Sequence, residues 1–423
     1  MIATSPDIPA GFTQTEAGVI PVDWRIENLD ECVRNDAPIC YGILMPGKFH
    51  DGGVPVIKVK DIMGGRVDES DILLTHPTID NAYKRSRLRS GDLLITIRGT
   101  TGRVAITPKS LDGANITQDT ARVRLNGNHS SEFLYFALQA RAAQDQIALY
   151  TIGQAVKGIN IRDVKDVVVP IPPTLAEQEA IAEALGDADA LIESLEQLVA
   201  KKRHLKQAAM QQLLTGRKRL PGFEGEWETR SMRDCLLDAP DYGINAPGVP
   251  FDGSLPAYLR ITDIDDDGHL YSDNRVAVDH PSSSDYVLEQ NDIAFARTGA
   301  SVGKTYLYRP SDGRLVFAGF LIRARVDQTK LSPAFLFNFT HTRPYWNWVR
   351  VMSMRSGQPG INGNEYASLE FPLPPTVEEQ NAIAEILTDM DTEIEAIEAK
   401  LAKARQIKQG MMQELLTGRT RLV

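Results

Sequence analysis

The chain has 423 residues, 42% of them hydrophobic and 24% charged, with a net charge of −10, which allows two or three domains that each bury a core. No charged-then-apolar leader opens it and no run reaches the ~18 apolar residues of a membrane helix. The three cysteines, Cys32, Cys40 and Cys235, have neither disulfide-framework nor zinc-ligand spacing, so a reduced cytoplasmic protein without a metal site is expected.

The acid is unevenly placed. Residues 174–216 carry 7 acidic and 4 basic side chains and residues 374–423 carry 9 and 6, whereas residues 1–173 carry 20 and 19 and residues 217–373 carry 20 and 17. A basic face on either of the larger segments is therefore allowed, although net charge does not argue for one.

In chain order, GFTQTEAGVIPVDW (11–24) leads through Trp24 to Cys32, and YGILMPG (41–47) follows as a Pro/Gly-punctuated loop. VIKVKDI (56–62) alternates and is β-branched, as a strand does. AYKRSRLRSG (82–91) is the densest basic cluster, readable as a DNA contact or as a solvated edge strand. GDLLITIRG (91–99) and the turn RGTTGRV (98–104) come next, then Gly-Ile-Asn (158–160) and the strand-like VVVPIPP (167–173). After Pro-Pro, Thr174 and Glu177 form a capping box, and a long helix runs to Leu-Leu-Thr-Gly at 213–216, where Gly permits a left-handed stop.

The whole pattern then returns. Trp227 and Cys235 repeat the eight-residue spacing of Trp24 and Cys32; YGINAPG (242–248), YLRITDI (258–264), NDIAFARTG (291–299), Gly-Ile-Asn (360–362) and LEFPLPP (369–375) repeat the loop and strands. A second capping box, Thr376 with Glu379, opens a second helix that ends in Leu-Leu-Thr-Gly at 415–418, offset by 202 residues. Both helices carry a heptad seam, with Ile181, Leu185, Ile192 and Leu195 in the first and Ile383, Leu387, Ile394 and Ile397 in the second. Beyond Val199 and Leu401 the apolar step shortens to Leu205 and Ile407, which reads as a stammer.

The expected fold is α+β. Two mixed α/β domains, 1–173 and 217–373, alternate with helices 174–216 and 374–423, which pair as an antiparallel intramolecular coiled coil in a pseudo-two-fold chain.

Catalytic chemistry is hard to find. GASVGKT (299–305) has one residue too few between its glycines for a phosphate loop and leads into a strand-like segment. The seven histidines show no HExxH or Cys/His pairing, and no GxSxG, GxGxxG or NPPY motif is present, so no catalytic residue and no metal ligand is assigned. Binding chemistry is better represented. The candidates are Tyr41, Gly42, Lys84, Arg85, Arg87, Arg98, Thr100, Thr101 and Arg103 in the first half and Tyr242, Gly243, Arg297 and Lys304 in the second, since Arg and Lys anchor phosphate and read guanine while Thr reads other base edges. RPYWNWVRVMSMR (343–355) interleaves cations with Tyr345, Trp346 and Trp348, and its aromatics read more readily as core.

The twice-repeated PPT-x-x-EQ-x-AIAE opening and LLTG-R ending, together with GFTQTEAGVIPVDW, resemble the specificity subunit of type I restriction-modification enzymes over nearly the full chain. The resemblance implies two target-recognition domains, each reading one half of a split double-stranded DNA site, and conserved spacer helices that set the gap. It implies docking of two methyltransferase subunits and, through them, of restriction-translocase subunits, in the cytoplasm of a bacterium or archaeon. The cofactors, S-adenosylmethionine, ATP and Mg, would belong to those partners, leaving this chain none and no catalysis of its own. Recognition domains of that family vary too widely for base-contacting residues to be carried over. The alternative reading is a structural scaffold whose coiled coil joins two protein-binding domains.

Overall fold

The structure, a computed structural model, describes residues 8–153, 157–271, 274–354 and 358–423. Arg355, the last cation of the aromatic stretch, lies outside them. The chain divides into two units, residues 1–196 with 400–423 and residues 197–399. Each long helix, Leu175–Leu213 and Val377–Leu415, thus contributes its N-terminal part to one unit and its C-terminal part to the other.

In the first unit the central sheet runs Val104–Ile106, Leu93–Thr96, Thr120–Val123, Cys40–Tyr41, antiparallel throughout. A three-stranded sheet places Val54–Ile57 between Asn115–Ile116 and Leu73–Thr75. Helices Ser131–Gln139 and Arg141–Tyr150 bury Phe133, Leu134, Ala143 and Ile147 in the core. Arg25–Asn28 pairs with Val168–Ile171, the strand that feeds the first long helix. The second unit repeats the plan. Its central sheet runs Asp241–Tyr242, Leu321–Ala324, Ile293–Ala296, Thr305–Leu307; a second sheet runs Gly248–Pro250, Val276–Val278, Ala257–Leu259, Leu315–Phe317; and Glu228–Ser231 pairs with Glu370–Leu373.

The strands expected over 56–62 and 258–264 are shorter than their alternation suggests. Each breaks into a 3-10 turn, Val59–Asp61 or Ile261–Asp263, because the Asp carboxylate accepts the backbone N–H of Lys58 or Arg260 at 2.8 Å and turns the chain. The phosphate-loop-like turn leads, as its sequence suggests, into the strand Thr305–Leu307.

Within each unit the two long helices lie antiparallel. In the first, Lys408 reaches Asp189 at 2.5 Å and Arg405 reaches Glu196 at 2.6 Å; in the second, Lys206 reaches Asp391 at 2.5 Å and Arg203 reaches Glu398 at 2.7 Å. Ile181, Leu185, Ile383 and Leu387 are fully buried and Ile394 and Ile397 nearly so, while Ile192 and Leu195 are half-buried. The expected stammer is absent. Leu205 and Ile407 are 48% and 50% exposed, and the positions that keep a 4-3 spacing after Lys202 and Ala404 are Lys206 and Lys408. The heptads continue through lysines, disguised because each places its ammonium on an aspartate of the facing helix.

The EQ of the repeated motif also has a physical basis. Thr174 and Thr376 cap as expected, accepting from Glu177 N at 3.2 Å and Glu379 N at 3.3 Å. The reciprocal half of the capping box gives way to another contact, because both glutamates are buried and turn to arginines, Glu177 to Arg421 and Glu379 to Arg219. Gln178 accepts Ser130 N at 3.0 Å and donates to Asn128 O at 3.3 Å; Gln380 accepts Ser332 N at 2.7 Å and donates to Lys330 O at 3.0 Å. One side chain thereby fixes the helix base to the loop that opens a domain helix. The following Ala-Ile-Ala places Ile181 or Ile383 and Ala182 or Ala384 in the core. The stop residues Gly216 and Gly418 have φ of +71° and +68°, and each lies against a tryptophan, Trp227 and Trp24 respectively.

Candidate nucleic-acid interface

In the first unit the register places Tyr41 opposite Ala121 and Cys40 opposite Arg122. Gly42 follows where a Cβ would stand 1.9 Å from the Ile116 carbonyl oxygen, so only glycine lets the chain pass. Ile43 then bridges to Thr117 and is fully buried. Clamped on that side, the strand leaves Tyr41 outward and 37% exposed. The Arg85 guanidinium lies 5.5 Å from its ring centre, a cation–π distance. Arg85 and Lys84 are exposed on the 3-10 turn Lys84–Ser86, which is pinned from below by Ser86 Oγ donating to Asn115 Oδ1 at 2.7 Å.

The other first-half candidates divide by what already holds them. Arg87 is paired with buried Asp80 through Nε at 2.8 Å. Arg103 turns inward, donating to Ile62 O at 2.9 Å. Thr101 accepts from Thr151 Oγ1 at 3.2 Å, whereas Thr100 is exposed. Arg98 is exposed, 3.4 Å from Gln118 Oε1, and lines one cleft with Tyr41, Gln118, Lys157 and Asn160. A second cleft is lined by Lys84, Arg85, Arg87, Arg89, Arg122 and Arg124, with Asp36 and Asp112 as its acidic members. The structure thus gathers Tyr41, Arg85 and Arg98 at a cationic surface.

The sequence reading missed Arg122, Gln118 and Lys157, whereas Arg89 belongs to the basic cluster it singled out. Arg122 is buried and donates Nη2 to Pro38 O at 2.8 Å, and its Nε has no hydrogen-bond partner. Burial pushes its pKa below the usual arginine value, but a guanidinium keeps its proton. Its counterpart Arg323 sits opposite Asp241 and pairs with it at 2.6 Å. Where the second half has Asp241 the first has Cys40. A strand pattern could not show this difference, which depends on the cross-strand register.

In the second unit Gly243 is required for the same reason as Gly42: a Cβ would stand 2.3 Å from the Ala318 carbonyl oxygen. Tyr242 is outward, 41% exposed, and its Oη accepts from Gly363 N at 3.0 Å. The cation over its ring, at 4.9 Å, is Arg297. Arg297 follows the strand Ile293–Ala296, whereas Arg85 comes from a separate turn. Each half therefore presents an outward tyrosine with an arginine on it, from different elements. Lys304 is held at 2.7 Å by Asp266 and donates to Ile264 O at 3.3 Å. Of the aromatic stretch, Tyr345 is fully buried and donates to Gly303 O at 2.8 Å, Trp348 is half-buried against it, and Trp346 is 37% exposed.

No metal ligation is expected from the sequence, yet Glu27, Cys32 and His129 come together, with donor atoms within 4.8 Å of one another. No helix among the described residues is long and apolar enough to cross a membrane.

Comparison with known proteins agrees with the repeat. The profile of the type I restriction modification DNA specificity domain matches residues 48–201 and again residues 265–406. The chain is 31% identical to the type I restriction enzyme EcoBI specificity subunit of Escherichia coli over 182 residues, which are 43% of this chain and only 38% of that one. It is 23% identical to the putative type I restriction enzyme MjaX specificity subunit of Methanocaldococcus jannaschii across 97% of both chains. By fold it is similar to a type I restriction-modification S subunit from M. genitalium, with a TM-score of 0.59 at 15% identity over 93% of this chain and 96% of that one. A chain from a structural study of complex assembly and conformational transition in the type I R-M system gives a TM-score of 0.55 at 18% identity over 95% and 99%. The chain belongs to the type I restriction-modification DNA specificity family, with one specificity domain matched in each half.

Proposed function

We propose that this chain is the specificity subunit of a type I restriction-modification complex and reads a bipartite double-stranded DNA target, one half-site per domain. Residues up to 173 and residues 217–373 serve as the recognition domains; helices 174–216 and 374–423 set the gap and dock two methyltransferase subunits, which bring the restriction subunits. Methyl transfer and ATP-driven cleavage, with S-adenosylmethionine, ATP and Mg, take place on those partners in the cytoplasm. This chain selects the sequence and makes no bonds.

The observation that carries this reading is the matched pair of outward tyrosines, Tyr41 under Arg85 and Tyr242 under Arg297, one in each half. Tyrosine and arginine together supply a stacking face, base-edge donors and phosphate attraction. Footprinting of the assembled complex on its own genomic DNA tests the reading: two protected segments with an unprotected gap are expected. Complex formation without sequence-selective protection would favour the scaffold instead.

A further inference from the structure

Buried in the first unit, away from the cationic clefts, three metal-ligating side chains converge that the recognition reading does not use. Glu27 comes from the strand Arg25–Asn28, Cys32 from the turn after it, and His129 from the loop that opens the helix Ser131–Gln139. Glu27 Oε2 lies 2.9 Å from His129 Nε2 and 3.8 Å from Cys32 Sγ. Cys32 is fully buried, and the His129 and Glu27 side chains are 4% and 17% exposed.

The hydrogen bonds fix the histidine's protonation pattern. Asn126 donates Nδ2 to Glu31 O at 3.2 Å and accepts Asn128 N on Oδ1 at 3.0 Å, so its amide has one orientation. That same Oδ1 faces His129 Nδ1 at 2.7 Å, and two acceptors cannot face each other there, so Nδ1 carries a proton. Nε2 is left pointing at a carboxylate oxygen. Something positive must lie between them, either a second proton or a metal ion. A histidine oriented through Nδ1–H to an amide oxygen, with Nε2 toward a carboxylate that also meets a cysteine, has the second-shell support of a metal ligand.

The other half of the chain provides an internal control. Backbone register makes Arg230 the counterpart of Glu27, since Glu27 opposes Val169 and Arg230 opposes Phe371. Asn126 N donates to Cys32 O as Asp327 N donates to Cys235 O. His129 lies between Asn128 and Ser130, the residues gripped by Gln178, just as Leu331 lies between Lys330 and Ser332, gripped by Gln380. The same scaffold is thus built with Arg, Cys and Leu. Leu331 is fully buried, so a histidine is not required at this place by the fold.

We propose that Glu27, Cys32 and His129 form a zinc site that clamps the first recognition domain to the base of its long helix. The donor set is one thiolate, one neutral imidazole and one carboxylate, two negative charges that neutralise a divalent ion, and the soft thiolate selects zinc over Mg or Ca. With Zn–S of ~2.3 Å and Zn–N and Zn–O of ~2.1 Å, tetrahedral donors stand about 3.4–3.6 Å apart. Glu27 and His129, now at 2.9 Å, must therefore part to admit the ion, while Cys32 and Glu27, at 3.8 Å, are already near the required spacing. All three donors lie within 4.8 Å of one another, with water as fourth ligand. Binding displaces the Cys32 S–H proton and the Nε2 proton, so each zinc bound releases two protons and charge is conserved. Through Ser130 and Asn128 the site joins Gln178 at the helix base.

The full-length chain, purified without chelator and desalted after incubation with zinc, should retain about one zinc per chain by elemental analysis, and cobalt exchanged for it should show a thiolate-to-cobalt charge-transfer band. His129→Leu, which installs the residue the second half uses, should fold and lose both signals, and Glu27→Gln should weaken zinc binding at least tenfold. Chelator should lower the melting temperature of the native chain and leave that of His129→Leu unchanged. Absence of retained zinc would overturn the site and leave His129 as an imidazolium paired with Glu27. Zinc retained equally by His129→Leu and Glu27→Gln would overturn it as well, since the metal would then bind elsewhere.

Discussion

Arg421 and Glu177, 244 residues apart in sequence, meet in the first unit, where Arg421 Nη2 donates to Glu177 Oε2 at 2.7 Å. Arg421 also reaches Asp23 at 3.0 Å. The repeat reproduces the contact in the second unit, where Arg219 donates to Glu379 at 2.5 and 2.8 Å and Trp227 Nε1 lies 3.4 Å from the same carboxylate. The arginine two residues beyond each LLTG-R stop thus closes on the glutamate that opens the opposite helix. This gives the two ends of the repeated motif one shared task.

Arg421→Ala leaves the Glu177 carboxylate buried without its cation. It should destabilise the first unit by about 1–3 kcal/mol, seen as a lower urea midpoint, and Arg219→Ala should do the same for the second. Adding Glu177→Gln to Arg421→Ala should recover part of the loss by removing the uncompensated charge. An Arg421→Ala chain as stable as the native one would show the pair to be no better than solvation.

Arg122 lacks the carboxylate that its counterpart Arg323 has. Cys40→Asp recreates the Asp241 arrangement and should stabilise the first unit by about 1–2 kcal/mol while weakening DNA binding, because it neutralises a cation in the cleft of Lys84, Arg85 and Arg89. Parallel urea titrations and DNA-binding isotherms over a salt series check both directions.

The paired tyrosines give a half-specific prediction. Tyr41→Ala or Arg85→Ala should relax selectivity at one half-site and Tyr242→Ala or Arg297→Ala at the other, each by about 1–3 kcal/mol per lost contact. Selection from randomised DNA with each variant complex reads this out. Uniform weakening at both half-sites would instead make these side chains phosphate contacts.

Seven residues inserted into each long helix at matching levels preserve the heptad seam and add ~10.5 Å, which is about three base pairs at ~3.4 Å each. The recognised gap should lengthen accordingly. An unchanged gap in a stable, DNA-binding complex would remove the helices from any measuring role.

Much of this organisation was legible in the sequence because it is written in short-range signals. The Thr caps, the LLTG stops and the heptads each depend on neighbours within two turns, and repetition doubles every signal. Strand character was legible in the alternating, β-branched stretch that opens at Val56, but the turn where Asp61 or Asp263 bends the chain was not. Lys206 and Lys408 concealed the end of the seam because their partners, Asp391 and Asp189, lie on another helix. The long-range polar contacts were invisible for the same reason. Nothing local distinguishes Arg87, held by Asp80, or Arg103, held by backbone carbonyls, from exposed Arg85. Cys32 and His129 are brought together only by the pairing of the strands around them.

The most direct test of two-domain recognition is to express the chain with the methyltransferase subunit that the proposed function assigns to it and map methylated adenines in the host DNA by long-read sequencing. The account predicts one split motif with a fixed gap and one modified adenine on each strand, and a change in only one half of that motif when Tyr242 and Arg297 are replaced. A continuous motif, or no methylation from an intact complex supplied with methyl donor, would contradict it.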